Sequence, residues 1–169
     1  MDKKINLNIA ILTISDSRTK DDDKSGNLLC DLVSGSNHHI YERSIVKDDI
    51  YEIRKVISSW IYNQDINVII STGGTGVTGR DGTPEAVEVL FDKKIEGFGE
   101  IFRYLSFKKI KTSTIQSRTV AGVANSTYIF CLPGSPSACK DAWVDIIQYQ
   151  LDSTNKPCNL VELMPRLKD

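Results

Sequence analysis

The sequence predicts an α/β sandwich built on a mainly parallel β-sheet. Apolar, strand-like runs alternate with amphipathic segments of helical period along the chain. Two of those strands also run through small, glycine-bearing loops into helix starts. In a parallel sheet such junctions open beyond the carboxyl ends of the strands, where ligands bind in this fold class.

The elements follow in order. Residues 7–15 form a first strand, apolar almost throughout; Asn6, Asn8 and Thr13 sit among Ile5, Leu7, Ile9, Ile11 and Leu12 as in a buried strand. The asparagines interrupt the apolar run and no small-residue cleavage site follows, which argues against a leader peptide. Asp16, Ser17 and Arg18 come next, then the charged loop TKDDDKSG, whose residues 20–24 read as solvated. Ser25 is the expected N-cap of a helix to about residue 34. Residues 41–46 form a short strand. A helix over 48–63 carries Ile53, Val56, Ile57 and Trp60 on one face, Trp60 as a core residue. The strand at 67–71 feeds the stretch STGGTGVTGRDGTPEA. There Thr83 suits a cap, Pro84 the first helical position and Glu85 the positive helix end, so residues 83–90 should be helical. A further helix is expected over 98–105, then strands 119–124 and 127–132 around an Asn125-Ser126 turn. LPGSPSA leads into a helix over 137–150. Pro157 and Pro165 make 151–169 an extended tail to a single domain, 1–169.

Bulk properties narrow the function. The 169 residues suit one domain, and 25% charged residues with a net charge of −1 supply no broad basic face for nucleic acid. Any bound phosphate must be held locally, by oriented amides and a few cations. Cys30, Cys131, Cys139 and Cys158 form no C-x-x-C pair, and the two histidines, His38 and His39, are adjacent. That spacing predicts neither a zinc site nor a disulfide framework, and reduced thiols suit a cytoplasmic protein. No apolar run approaches the ~20 residues of a membrane span.

The chemistry concentrates in the two glycine-bearing junctions, VIISTGGTG…TPEAV and YIFCLPGSPSACK. Exposed amides at helix starts attract anions. Gly73, Gly74 and Gly76 allow a ligand close to main-chain atoms, and Thr72, Thr75, Ser135 and Ser137 offer hydroxyls. Tight turns would explain either loop alone; two on one edge favour an anion site. Residues 74–79 match G-x-G-x-x-G, but a dinucleotide fingerprint opens its helix at once, and here Pro84 stands about five residues past Gly79. A nicotinamide enzyme thus rests on a weak match. A phosphate-binding G-x-x-x-x-G-K-[ST] loop fails because Arg80-Asp81 occupies the required positions. Asp81 would repel a phosphate unless a cation intervenes, and Mg²⁺ binds carboxylate and phosphate oxygens together. Asp48 or Asp49, just past the strand ending at Val46, offers a second carboxylate on the same edge. Helix capping for Asp48 and turn chemistry for Asp81 are the plainer alternatives.

STGGTGVTGRDGTPEAV, EGFGEIFR, STIQSR and LPGSPSACKDAW, in that order, resemble the MoaB/MogA family of molybdenum cofactor biosynthesis, and SFKKIKTSTIQSRTVAGVAN resembles its MoaB branch. The likeness spans about residues 8–165. It implies a three-layer α/β/α sandwich with a mainly parallel central sheet, assembled as homotrimers or homohexamers. It also implies Mg-ATP-dependent adenylylation of molybdopterin, with pyrophosphate released; the alternative is a non-catalytic pterin-binding or scaffold member. By that resemblance Asp81 and Asp48 are catalytic and hold Mg²⁺ through the nucleotide. Thr72, Gly73, Gly74, Thr75, Gly76, Glu100, Ser117, Arg118, Pro133, Gly134 and Ser135 contact substrate. Lys47-Asp48-Asp49 replaces the commoner Pro-Asp-Asp/Glu, which leaves the register of the second carboxylate open. Arg118 and Arg80 could offset charge on the leaving pyrophosphate; surface ion pairing is the plainer role for both.

Overall fold

Strand β1 (Asn8–Ile14) shows why the sheet lies between two helical layers. Its Ile9 and Ile11 pack into one apolar core, and Ala10, Leu12 and Ile14 into another. A strand apolar at consecutive positions has no solvent face, so both sides must be covered. In the computed structural model, which describes residues 4–168, five more strands complete the sheet: β2 (His39–Val46), β3 (Val68–Thr72), β4 (Lys93–Lys94), β5 (Val120–Ala124) and β6 (Thr127–Leu132). The order is β2-β1-β3-β6-β5-β4. The first four are parallel; at one edge β5 pairs antiparallel with β6 and β4 antiparallel with β5, so β5 alone is reversed.

Helices α1 (Lys24–Gly35) and α2 (Ile50–Tyr62) take opposite faces, α1 through Leu29 and Val33, α2 through Ile53, Ile57 and Trp60. Short α3 (Thr83–Val87) joins α2, while α4 (Glu96–Ile110) and α5 (Pro136–Ala142) join α1. This is the expected three-layer arrangement. The continuous helix expected over 137–150 is interrupted: a π-helical turn (Trp143–Ile147) separates α5 from α6 (Gln148–Gln150). Asn125 and Ser126 both adopt positive φ (46° and 69°), which suits a two-residue hairpin between right-twisted strands.

Several local expectations are corrected. Asp23, not Ser25, caps α1. Within the supposedly solvated segment 20–24 it is fully buried, because its carboxylate also accepts from the Thr13 hydroxyl at 2.6 Å and from Arg43 at 2.9 Å. Asp49 caps α2, accepting from the amides of Tyr51 and Glu52. Gly82 precedes α3, and the Thr83 hydroxyl donates instead to the Gly73 carbonyl at 2.8 Å. Helix α4 is longer than expected and takes in Glu96, which suits its positive end. The tail expected to be extended ends in a 3₁₀ helix (Val161–Arg166), with Asn159 and Val161 buried. The Tyr128 hydroxyl donates to the Leu160 carbonyl there at 2.9 Å. Residue 169 lies outside the described residues.

The connections position the site. From β1 the chain moves through α1 to β2 on one side, then through α2 to β3 on the other. The β1/β3 crevice is therefore the switch point at which open α/β sheets bind ligands.

Candidate functional site

A cavity of about 640 Å³ opens at that switch point. The loops after β1, β2, β3 and β6 line one side of it, through residues 15–18, Asp48, residues 73–76 with Asp81, and residues 133–135. Phe102 and Ser106 of α4, and Ser113 and Gln116 of the 3₁₀ helix that follows (Lys111–Gln116), line the rest with Ser117.

The glycine loop is shaped by close contacts. Gly73 and Gly74 have φ of 109° and 67°, a region that side chains rarely allow. A Cβ on Gly74 would also lie 2.2 Å from the Thr83 hydroxyl and 3.1 Å from both Asp48 carboxylate oxygens. Asp48 thus packs directly against the loop backbone, free because Asp49 does the capping. On the other side, Asp81 accepts from the Thr78 amide at 2.8 Å and its hydroxyl at 2.5 Å.

The two carboxylates differ electrostatically. Burial pushes the Asp48 carboxyl above its ordinary range, and the neighbouring Asp81 and Asp16 carboxylates push the same way, against the Gly82 amide and Arg80. Burial also acts to raise Asp81, but hydrogen bonds from Thr78 and the Gly76 amide, with the Arg118 charge, hold it below the usual value. Asp81 is thus the firmly ionised partner and Asp48 the one crowded by like charge. A divalent cation relieves that crowding, so the donor set suits Mg²⁺. Among the described residues no group of three or more His, Cys, Asp or Glu side chains forms a metal cage. An ion held by these two carboxylates would need the rest of its shell from ligand oxygens and water.

Gly73, Gly74, Thr75, Gly76, Asp48, Asp81, Ser117, Pro133, Gly134 and Ser135 all line this cavity, as the sequence suggested. Thr72, Glu100, Arg118, Arg80 and Ser137 do not. Thr72 is fully buried and its hydroxyl donates to the Pro133 carbonyl at 2.9 Å, tying the two ligand loops together. Glu100 and Arg118 line a neighbouring cavity of about 510 Å³ with Glu85 and Arg103. The Arg118 guanidinium donates to the carbonyls of Gly76 at 2.6 Å and Asp81 at 2.7 Å and pairs with the Glu85 carboxylate, so it braces the glycine loop from behind. Arg80 is paired in a two-point contact with Asp16 at the surface, at 3.1 and 2.7 Å. Ser137 is exposed on α5, outside the cavity lining.

Sequence reasoning passed over Asp16 and Arg18, both of which line the cavity. A signal existed: they follow the carboxyl end of β1, the edge on which the ligand loops lie.

Residues 10–153 match a family described as a probable molybdopterin binding domain. The chain belongs to this family. Its relatives include molybdenum cofactor biosynthesis protein B of Escherichia coli K12, 53% identical over 151 residues, 89% of each chain. The Staphylococcus epidermidis protein of the same name is 44% identical over 149 residues, covering 86% of this chain and 85% of that one. Among solved structures, a molybdenum cofactor biosynthesis protein B superposes with a TM-score of 0.87 at 36% identity over 97% of both chains. The tungsten cofactor synthesizing protein MoaB of Pyrococcus furiosus gives 0.80 at 29% identity, over 97% of this chain and 98% of that one. The fold is MoaB/MogA-like, and the family member described here falls in the MoaB branch. Among the described residues no helix is long and apolar enough to cross a membrane.

Proposed function

We propose that this molybdopterin-binding domain acts in molybdenum cofactor biosynthesis as an Mg-ATP-dependent molybdopterin adenylyltransferase. One observation carries the reading. Asp48 and Asp81 flank a glycine loop in a single cavity, with the Pro133-Gly134-Ser135 loop on the same sheet edge.

A phosphate monoester is mostly dianionic near pH 7, with a second pKa of about 6, and needs no general base to attack phosphorus. One oxygen of the molybdopterin phosphate bonds to the α-phosphorus of ATP. The α–β bridging P–O bond breaks, and pyrophosphate leaves with that electron pair. What such a transfer requires is alignment and charge neutralisation. The loop amides from Gly73 to Gly76 and the Thr75 and Ser117 hydroxyls would hold the anions in line. Asp48 and Asp81 would hold Mg²⁺ against the nucleotide, where it supplies neutralising charge. Arg118 would act through the loop it braces, a role supported by its hydrogen bonds to the Gly76 and Asp81 carbonyls.

The test is Asp81→Asn, assayed for adenylylated pterin and, separately, for molybdopterin affinity. Adenylylation should collapse while binding is mostly kept. Wild-type turnover in the variant removes Asp81 from the mechanism. A wild-type chain that binds molybdopterin but releases no pyrophosphate from ATP is a pterin-binding member without this activity.

We also propose cytoplasmic action as a homotrimer or homohexamer. Exposed Ile101, Tyr104, Phe107 and Ile110 on α4 support self-association, and a solution mass measurement tests it.

A further inference from the structure

Of the described residues lining the main cavity, Arg18 is the one cation. Its side chain is a third exposed (33%). Its contacts are long: both terminal nitrogens approach the Gly134 carbonyl at 3.3 Å, and one approaches the Ser25 hydroxyl at 3.3 Å. That carbonyl already accepts a 2.7 Å hydrogen bond from Ser25 and does not need Arg18. Its nearest carboxylate, Asp23, lies 3.8 Å away and is satisfied by Arg43 at 2.9 Å, the Thr13 hydroxyl and the Gly26 amide. Arg18 therefore carries charge that the protein does not use up, and a guanidinium has five N–H donors to direct.

The other charged side chains in the cavity wall are acidic: Asp16, which Arg80 pairs, with Asp48 and Asp81. A polyphosphate arriving with a divalent ion suits the Asp48–Asp81 side. A second anion without its own metal is held by loop amides and is favoured further by a protein cation. Arg80 is engaged by Asp16, and Arg118 by two carbonyls and Glu85. We propose that Arg18 binds the phosphate monoester of the acceptor, placing it beside Gly134 and Ser135. The choice of that ligand rests on the adenylyl-transfer reading; the presence of a spare cation in the cavity does not.

The experiment titrates molybdopterin and, separately, ATP with Mg²⁺ into wild type, Arg18→Gln, Arg18→Lys and Ser25→Ala, at low and high salt, with melting midpoints as a control. A charge-assisted contact to phosphate predicts that Arg18→Gln weakens molybdopterin binding by about 10- to 100-fold. The same variant should flatten the salt dependence of that binding. Arg18→Lys should fall between the two, since it keeps charge but loses the fork. ATP affinity should stay within about twofold, because the metal side of the cavity is untouched. Ser25→Ala removes the shorter bond to Gly134 without removing charge and should keep the salt dependence. Unchanged molybdopterin affinity in Arg18→Gln overturns the proposal. So does an equal loss in Ser25→Ala, which would make Arg18 a strut, or a loss confined to ATP. Arg18-dependent pterin binding without pyrophosphate release from the wild type sinks adenylyl transfer and leaves this inference standing. Wild-type turnover with an unaltered pterin KM in Arg18→Gln sinks this inference alone. A wild type that binds no molybdopterin sinks both.

Discussion

Replacing Arg118 by Met removes the guanidinium and keeps most of the side-chain bulk. Three contacts go: those to the Gly76 and Asp81 carbonyls, at 2.6 and 2.7 Å, and the Glu85 ion pair. Hydrogen bonds from a charged donor contribute about 1.5–3 kcal/mol each, which sets an upper bound near ~6 kcal/mol for the two carbonyls. The Arg118 side chain is 32% exposed and that of Glu85 50%, so water replaces part of this, and the ion pair itself adds under about 1 kcal/mol. A net loss of about 2–3 kcal/mol remains, which in a domain of this size lowers the melting midpoint by roughly 4–12 °C. Calorimetry measures it. Nucleotide affinity should fall as well, because the glycine loop loses its brace, and Arg118→Lys should recover only part of either loss. A variant that melts like wild type yet loses nucleotide binding would refute the bracing role and make Arg118 a ligand contact.

Three further outcomes follow from named groups. Asp48 is held above its ordinary pKa by burial and by Asp81 and Asp16, so its ionisation opposes folding. Asp48→Asn should therefore melt above wild type at pH 7, with the gain gone below the ordinary carboxylate range; equal midpoints at pH 7 would contradict this. Asp23 is held low: burial acts to raise it, but the Thr13, Gly26 and Arg43 contacts prevail. Its contribution is present above the unfolded carboxylate pKa and fades as pH falls through the lower folded value. Asp23→Asn, which leaves Arg43 without its buried counter-charge, should cost about 3–5 kcal/mol by urea unfolding at pH 7. Burial pushes the Cys131 thiol to about 12 and Cys139 to about 11, while Cys158 is exposed. A thiol reagent should label Cys158 in the native protein and reach Cys131 and Cys139 only on unfolding.

The legible part of the site was local. A strand ending in TGGTG, a helix opening on Thr-Pro-Glu, and a second strand ending in Pro-Gly-Ser each announce a ligand loop within a few residues. The crevice rule then places both loops, and Asp48 after β2, on one edge. The surroundings of Thr72, Glu100 and Arg118, all three expected to contact substrate, were not readable from the sequence. The Pro133 carbonyl, the second cavity and the Gly76 carbonyl come from segments distant in the chain. Asp23 was misread because DDDK looks solvated, and burial there depends on Thr13 and Arg43 meeting it from two strands.

From the sequence alone came the alternation of strand and helix, the apolar strands that demand cover on both faces, and a glycine loop beside an acid. These depend on short-range backbone and solvation preferences that neighbouring residues settle among themselves. Which charges remain free was decided only in three dimensions. Folding brings the loop after β1 beside those after β3 and β6; Arg80 is then taken by Asp16 and Arg118 by the loop backbone, and Arg18 is left facing the cavity. Charge pairing depends on distance through space, and residues more than a hundred positions apart, such as Arg18 and Gly134, meet only once the sheet has formed.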